Sequence, residues 1–211
     1  TAENSRTTSG SATKTYTTEL MSVAMLSAAL GENKKRWEDL KKVAGWMRSA
    51  LKQNDLIEQT AQRYRYMART VVLGRGFNYS TAFEWALKLK ELTYIIAEPY
   101  SSADFAHGPI AMVDSGFPVM AVAPKGKVFQ TMLDALKHLR ADFGAELVVI
   151  SNDKRALSLA QMPLAIPADV PEWLSPLVAI LPAQLFAYHL TVAKGFDAER
   201  PRGLRKVTET R

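Results

Sequence analysis

Three charged residues at helical spacing carry most of the chemistry that this sequence offers. Glu84, Lys88 and Glu91 follow one another at intervals of four and three residues, so they share one stripe of a predicted helix that begins near Ser80. A carboxylate beside a cation can act as a general base, because the cation favours the ionised form and attracts an anionic substrate. The alternative is a solvent-exposed stripe with two weak intrahelical ion pairs.

Two further features flank this helix. Gly74 and Gly76 lie between a predicted strand and the helix, where backbone N–H groups and the helix dipole can bind an anion. An ordinary strand–helix turn has the same pattern, since the last glycine of a dinucleotide-binding motif is absent. His107 lies at a predicted turn, where it can transfer protons near neutral pH or remain an exposed side chain.

Composition excludes several classes of protein. The 211 residues contain no cysteine, which removes disulfides, thiol nucleophiles and cysteine-based metal sites. The three histidines lack metal-ligand spacing, so neither a metal nor another cofactor is expected. A net charge of +6 can attract nucleic acid or phosphorylated metabolites, but no nucleic-acid-binding motif is present. We interpret most of this charge as solvated surface.

The order of the predicted elements indicates an α/β fold. Three helices that end near Met67 precede any strand, and from residue 69 apolar strands alternate with helices. This pattern is typical of a doubly wound parallel sheet between two layers of helices. The helix from Ser80 is expected to run to Ile96, and a loop is expected to follow it. The apolar stretch from Trp173 to Ala193 is interrupted by prolines and polar residues, which favours a buried helix over a membrane span.

The motifs together resemble a known family. The resemblance is carried, in chain order, by the segments GRGFNYSTAFEWALKLKE, AEPYSSADFAHGP, AQLFAYHLTVAKGFDAERPRGL and KVT. They are similar to the second sugar-isomerase (SIS) domain of glucosamine-6-phosphate synthases and of tandem-SIS amino-sugar-phosphate deaminases. SATKTYTTEL resembles the end of a first SIS domain. The resemblance implies the end of a first SIS domain and linker helices at 1–68, an SIS domain at 69–195, and a tail at 196–211 that reaches the active site.

The resemblance also implies catalytic roles for four residues. Glu91 would move a proton between C1 and C2 of the open-chain sugar, through a cis-enediol or enolamine. Lys88 would lie beside Glu91 and bias its charge. Lys206 would approach the sugar carbonyl on the tail. His107 would assist ring opening, and in this family it reaches across to the neighbouring subunit of a homodimer.

Five residues are expected to contact or hold the substrate. Glu84 would help to hold the site, and Ser11 and Thr13 would be the remnant of a sugar-contacting segment. Gly74 and Gly76 are candidates for backbone contacts to the substrate. The Ser/Thr-rich loop with which the family binds phosphate belongs to the first SIS domain and is not found in this sequence.

The implied enzyme interconverts glucosamine 6-phosphate and fructose 6-phosphate, as a deaminase that releases ammonia or as an isomerising aminotransferase that adds it. Ala12 in place of the usual serine, Trp85 in place of a small residue and the ending RGLRKVTET favour the stand-alone deaminase form. The alternative is a regulatory or dimerisation module that binds phosphosugars without converting them. Retention of Glu91 and His107 favours the enzyme. We expect a cytoplasmic protein with no nucleic-acid or membrane partner.

Overall fold

A five-stranded parallel sheet lies at the centre of the structure, a computed structural model that describes residues 13–31 and 33–203. The strands are β1 (Arg69–Gly74), β2 (Ile96–Ser101), β3 (Pro118–Val122), β4 (Glu146–Ser151) and β5 (Met162–Ala165). Their order in the sheet is β2-β1-β3-β4-β5, and every neighbouring pair is parallel. The chain therefore turns back between β1 and β3, as in a doubly wound sheet. The predicted α/β class with a parallel sheet is confirmed.

Helices cover both faces of this sheet. They are α1 (Thr13–Leu30), α2 (Lys34–Leu51), α3 (Asn54–Ala61), α4 (Tyr79–Thr93), α5 (Ser102–Ala106), α6 (Phe129–Phe143), α7 (Lys154–Leu157) and α8 (Ser175–Ala193). Val72 and Met120 enter a core with α1 to α4 and α8, whereas Leu73 and Ala121 enter a second core with α5 to α7. Because both faces are buried, the central strands carry apolar residues at successive positions, as predicted.

The strand β2 corrects the sequence-based expectation of a long helix followed by a loop. α4 ends at Thr93, and Ile96 starts β2 instead of ending the helix. β2 lies at the edge of the sheet, exposes Ile96 and Glu98, and contains Pro99, which edge strands tolerate. It therefore lacks the continuous apolar run that identifies the inner strands.

The three helices before the sheet share a core with it. Ala24 of α1, Val43 of α2 and Ile57 of α3 are buried in the same core as Phe186 of α8. Asn33 caps α2, because its side-chain Oδ1 accepts a hydrogen bond from the Lys35 N–H at 3.0 Å. These helices thus extend the layer that packs on the sheet.

The helix α8 is the central apolar element of that layer. Within the described residues, the segment Glu172–Ala193 is the one helical stretch long and apolar enough to cross a membrane. However, 67% of its most apolar window is buried inside the protein, as in the core helices of globular domains.

A close approach at Gly74 fixes the start of α4 on the sheet. A Cβ atom at Gly74 would lie 2.2 Å from the Asn78 carbonyl oxygen and 2.9 Å from the Ala82 Cβ. Asn78 cannot yield easily, because its Nδ2 donates to Ser175 Oγ at 2.7 Å and its Oδ1 accepts from Thr81 Oγ1 at 3.2 Å. The turn therefore ties α4 both to β1 and to α8.

We expect Gly74→Ala to lower the free energy of unfolding by about 2 kcal/mol, since the added methyl overpacks a backbone contact. Gly45→Ala is the matched control, because nothing lies within 4 Å of a Cβ at this position inside α2. It should stabilise the protein by about 0.5–1 kcal/mol. Urea denaturation of both variants measures these opposite changes in the free energy of unfolding. A Gly74→Ala variant as stable as the wild type would contradict the close approach.

Candidate active site

The charged stripe of α4 is buried rather than solvated. The Lys88 side chain is 3% exposed, compared with 10% for Glu84 and 20% for Glu91. The Lys88 Nζ donates a hydrogen bond to Glu91 Oε2 at 2.9 Å and lies 3.4 Å from Glu84 Oε1. The alternative of a solvent-exposed stripe with weak ion pairs is therefore wrong.

The Glu84 carboxyl lies in the less favourable environment for a negative charge. Burial raises the pKa of Glu84, and the neighbouring Lys88 ammonium offsets only part of this effect. The Glu84 Oε1 accepts no hydrogen bond from the described residues, so its contact with Lys88 is an ion pair without hydrogen-bond alignment. Glu91 is the more exposed of the two carboxylates.

A cavity of about 340 Å³ opens beside Lys88. Its wall includes Thr13 at the start of α1, Gln184 and Tyr188 of α8, and the segment 198–199, with leucines supplying most of the remainder. The Gln184 Nε2 is buried and has no hydrogen-bond partner among the described residues. A buried ammonium and an unsatisfied amide donor between apolar walls favour a ligand that carries oxygen acceptors.

Glu84 faces a second cavity, of about 680 Å³, on the other side of the stripe. Tyr16 and Ser80 also line this cavity, and the Tyr16 hydroxyl lies 3.3 Å from both Ser80 Oγ and Thr81 Oγ1. Burial raises the pKa of Tyr16, so this phenol stays protonated. The charged stripe thus lies between two cavities, with Lys88 open to one and Glu84 open to the other.

The glycine turn lies away from the Lys88 cavity, at the carboxyl end of β1. Gly76 adopts a φ of 58°, which glycine tolerates, and α4 starts three residues later. At 1.5 Å per residue, Lys88 lies about 13 Å further along the helix axis. A neighbouring loop, which follows β3, offers one backbone donor fewer to a ligand, because the Lys127 N–H donates to Glu172 Oε1 at 3.0 Å. Substrate contacts by Gly74 and Gly76 remain predictions.

The remaining predicted site residues differ in where they lie. Thr13 shares the cavity of Lys88, although its segment precedes α4 by more than sixty residues. His107 is exposed at the end of α5 and is not among the hydrogen-bonding or ion-pairing partners of the stripe in the described part of the chain. Ser11 and Lys206 lie outside the described residues.

Some cavity residues are not predicted from sequence. Gln184 offers a weak signal, because it is the one amide side chain in a mostly apolar helix that the sequence assigns to the core. Tyr16 offers no such signal, since only the fold brings it to Ser80 and Thr81 on α4.

The family follows from a comparison with known proteins. Residues 65–194 match the model of the SIS domain. This match covers more than half of the chain, and it spans the whole sheet together with α4 and α8. The chain belongs to the SIS domain family.

Relatives of known sequence include isomerising glutamine–fructose-6-phosphate aminotransferases. The protein of Pyrococcus horikoshii is 39% identical over 202 residues, a match that covers 92% of this chain and 33% of that protein. The protein of Bacteroides thetaiotaomicron is 33% identical over 204 residues, covering 92% of this chain and 33% of that protein. The chain therefore spans about a third of the length of these curated relatives.

Solved structures agree with this assignment. The C-terminal domain of glucosamine-fructose-6-phosphate aminotransferase from Francisella tularensis superposes with a TM-score of 0.82 at 31% identity, covering 90% of this chain and 56% of that chain. A glucosamine-6-phosphate deaminase from Thermotoga maritima gives a TM-score of 0.71 at 21% identity, covering 94% of this chain and 57% of that chain. The second likeness supports the fold alone.

The raised pKa of Glu84 predicts a pH-dependent difference in stability. Its folded-state pKa lies above the ordinary value of 4.5, so its stabilising contribution is present below that value and is lost as the pH rises through the folded-state pKa. Glu84→Gln cannot ionise. We expect its free energy of unfolding, relative to wild type, to increase as the pH rises from about 4.5 towards 8.

Urea denaturation at several pH values measures this trend. Glu58→Gln is the control, because Glu58 is exposed on α3, and it should show no comparable trend. A wild-type advantage over Glu84→Gln that grows with pH would show that the ionised carboxylate is the favoured form in the folded state.

Proposed function

We propose that this chain supplies the proton-transfer half of a sugar-phosphate isomerase site. The longer enzyme would make glucosamine 6-phosphate from fructose 6-phosphate and ammonia derived from glutamine. The observation that carries the proposal is the buried Lys88 between Glu84 and Glu91, beside an open cavity. Relatives that are isomerising aminotransferases at 33% and 39% identity support the same function.

Glu91 is the proposed general base. Ammonia condenses with the C2 carbonyl of open-chain fructose 6-phosphate, and water leaves. Glu91 then removes a proton from C1 of the protonated imine. The C–H electron pair forms the C1–C2 double bond, and the C2–N double-bond pair moves onto nitrogen, which gives an enolamine. Return of the proton to C2, with loss of the C1 hydroxyl proton, leaves an aldehyde at C1 and an amine at C2. One carboxylate held on one face of the sugar suffices for both transfers.

Lys88 is proposed to hold this base in place. Its hydrogen bond to Glu91 Oε2 at 2.9 Å fixes the orientation of the carboxylate. Its charge also favours a phosphorylated ligand. Burial raises the pKa of Glu84, and its ion pair with Lys88 at 3.4 Å offsets part of this effect. Glu84 is therefore proposed to support the site through Lys88 rather than by acting on the sugar carbons.

His107 and Lys206 are proposed to complete the catalytic set. The exposed position of His107 at the end of α5 suits a residue that serves the site of a neighbouring subunit in a homodimer, where it would assist ring opening. Lys206 would approach the sugar carbonyl. Residues 198–199 on the wall of the Lys88 cavity support this role, because they bring the chain to the site shortly before Lys206.

The phosphate-binding site is proposed to lie in a first SIS domain, upstream of linker helices within 1–68. Ser11 and Thr13 would retain a sugar contact from that region, while 69–195 would form the second SIS domain and 196–211 the tail that reaches the site. A cytoplasmic location fits this metabolic role. The aminotransferase is preferred to the deaminase, because the isomerising aminotransferases of Pyrococcus horikoshii and Bacteroides thetaiotaomicron are 39% and 33% identical to this chain.

A second candidate function is a phosphosugar-binding or dimerisation module without catalysis. The position of Glu172 favours this module. Its carboxylate accepts a hydrogen bond from a backbone N–H in the loop after β3, at the end of the sheet where α/β proteins bind ligands. This donor is therefore already used and does not bind a substrate. The buried charged stripe favours the enzyme, since a module of this kind has no use for a base held beside a cation.

We expect Glu91→Gln in the longer protein to lower kcat by about 10²–10⁴-fold, because it removes general base catalysis. The amide keeps the shape of the carboxylate, so circular dichroism and binding of glucosamine 6-phosphate should change little. Glu58→Gln, on the exposed side of α3, is the control and should retain full turnover. Wild-type turnover in Glu91→Gln would show that another group is the base.

Calorimetry tests where the phosphate is held. Titration of glucosamine 6-phosphate into this 211-residue chain should give no binding heat, whereas the longer protein should bind the sugar clearly. Equal affinity in both proteins would place the phosphate contacts within this chain and would contradict a phosphate-binding site in the preceding domain.

A further inference from the structure

We infer that Tyr94 is a positioning residue that holds the segment after α8 in place, where this segment forms part of the wall of the Lys88 cavity. The anchoring is independent of the reaction, but its effect on turnover rests on the proposed function. Tyr94 directly follows α4, three residues after Glu91, so it links the helix that carries the base to a different part of the cavity wall.

The backbone at Tyr94 is unusual. Its φ of 58° and ψ of 21° are left-handed, and among the described residues no other residue except glycine has a positive φ. Glycine is the usual residue at a left-handed helix end, because a side chain there is strained. Strain of this kind persists where other contacts require the side chain. The contacts of Tyr94 therefore need an explanation beyond ending the helix.

Within the described residues, the hydrogen bond and ring contacts of the Tyr94 side chain go to the segment that follows α8. The Tyr94 hydroxyl accepts a hydrogen bond from the Arg202 N–H at 2.8 Å. The Tyr94 and Phe196 rings pack edge to face, with centroids 5.0 Å apart. The Arg202 guanidinium lies 4.6 Å from the Tyr94 ring centroid and 5.2 Å from that of Phe196. Tyr94 thus fastens the segment at both Phe196 and Arg202.

The residues between these two points form part of the cavity. Ala198 and Glu199 line the same space as Lys88 and Thr13. Fastening the segment at two points limits how far this wall can move from Lys88. The anchor therefore helps to set the shape of the cavity.

Two substitutions separate this role from that of a helix end. Tyr94→Gly relieves the left-handed strain and removes every anchoring contact, whereas Tyr94→Phe removes only the hydroxyl acceptor. Trypsin cleavage at the Arg202–Gly203 bond reports release of the segment. We expect cleavage to be about tenfold faster in Tyr94→Gly and a few-fold faster in Tyr94→Phe. Tyr66→Phe, at an exposed tyrosine, is the control and should cleave at the wild-type rate.

Thermal unfolding gives the opposing readout. The Tm of Tyr94→Gly should equal or exceed that of the wild type. The helix end is stabilised by relief of the backbone strain, and release of the segment does not lower the Tm, because the segment opens before the core unfolds. Faster cleavage with an undiminished Tm would support the anchor. Cleavage at the wild-type rate in both Tyr94 variants would overturn it, and so would a lowered Tm in Tyr94→Gly together with wild-type cleavage in Tyr94→Phe.

In the longer protein, we expect Tyr94→Gly to lower kcat/KM by about tenfold. Tyr94→Phe should retain most of the wild-type kcat/KM. The midpoints of the pH–rate profile should not move, since Glu91 and Lys88 are intact. If Glu91→Gln keeps its turnover while Tyr94→Gly still speeds cleavage, the proposed reaction is wrong and the anchor stands. If cleavage does not change while Glu91→Gln is inactive, the anchor is wrong and the reaction stands.

Discussion

The buried ammonium of Lys88 is the charge on which the rest of the site depends. It lies between Glu84 and Glu91 with 3% of its side chain exposed, so its charge is compensated by the two carboxylates rather than by water. Removal of one partner from a buried ion pair costs about 3–5 kcal/mol, because the remaining charge is left uncompensated. The same three residues therefore serve the stability of α4 and the proposed proton transfer.

The geometry of this trio is set by how α4 is held at its two ends. At the first end, Gly74 allows the start of α4 to approach β1 closely, and Asn78 donates a hydrogen bond to Ser175 of α8. At the second end, Tyr94 contacts Arg202 of the segment that follows α8. Because both ends are joined to the rest of the chain, the stripe keeps a fixed depth between the two cavities.

Sequence patterns predicted the parallel sheet and the shared stripe, because apolar strands and helical spacing are local signals. They did not predict that Lys88 is buried, since its burial depends on α1 and α8, which are distant in sequence. They missed β2, because Pro99 and an exposed Ile96 break its apolar pattern. Likewise, Gln184 and Tyr16 join the cavities only through the fold. The roles of His107 and Lys206 come from family resemblance and remain proposals.

The central claim is that Glu91 acts on the sugar carbons while Lys88 holds it. A crystal structure of the longer protein with glucosamine 6-phosphate tests it most directly. We expect an oxygen of Glu91 within about 3.5 Å of C1 or C2 of the sugar, the distance of a reactive complex. We also expect the Lys88–Glu91 hydrogen bond to be retained. A sugar bound away from the Lys88 cavity, with neither carbon within reach of Glu91, would show that Glu91 is not the base.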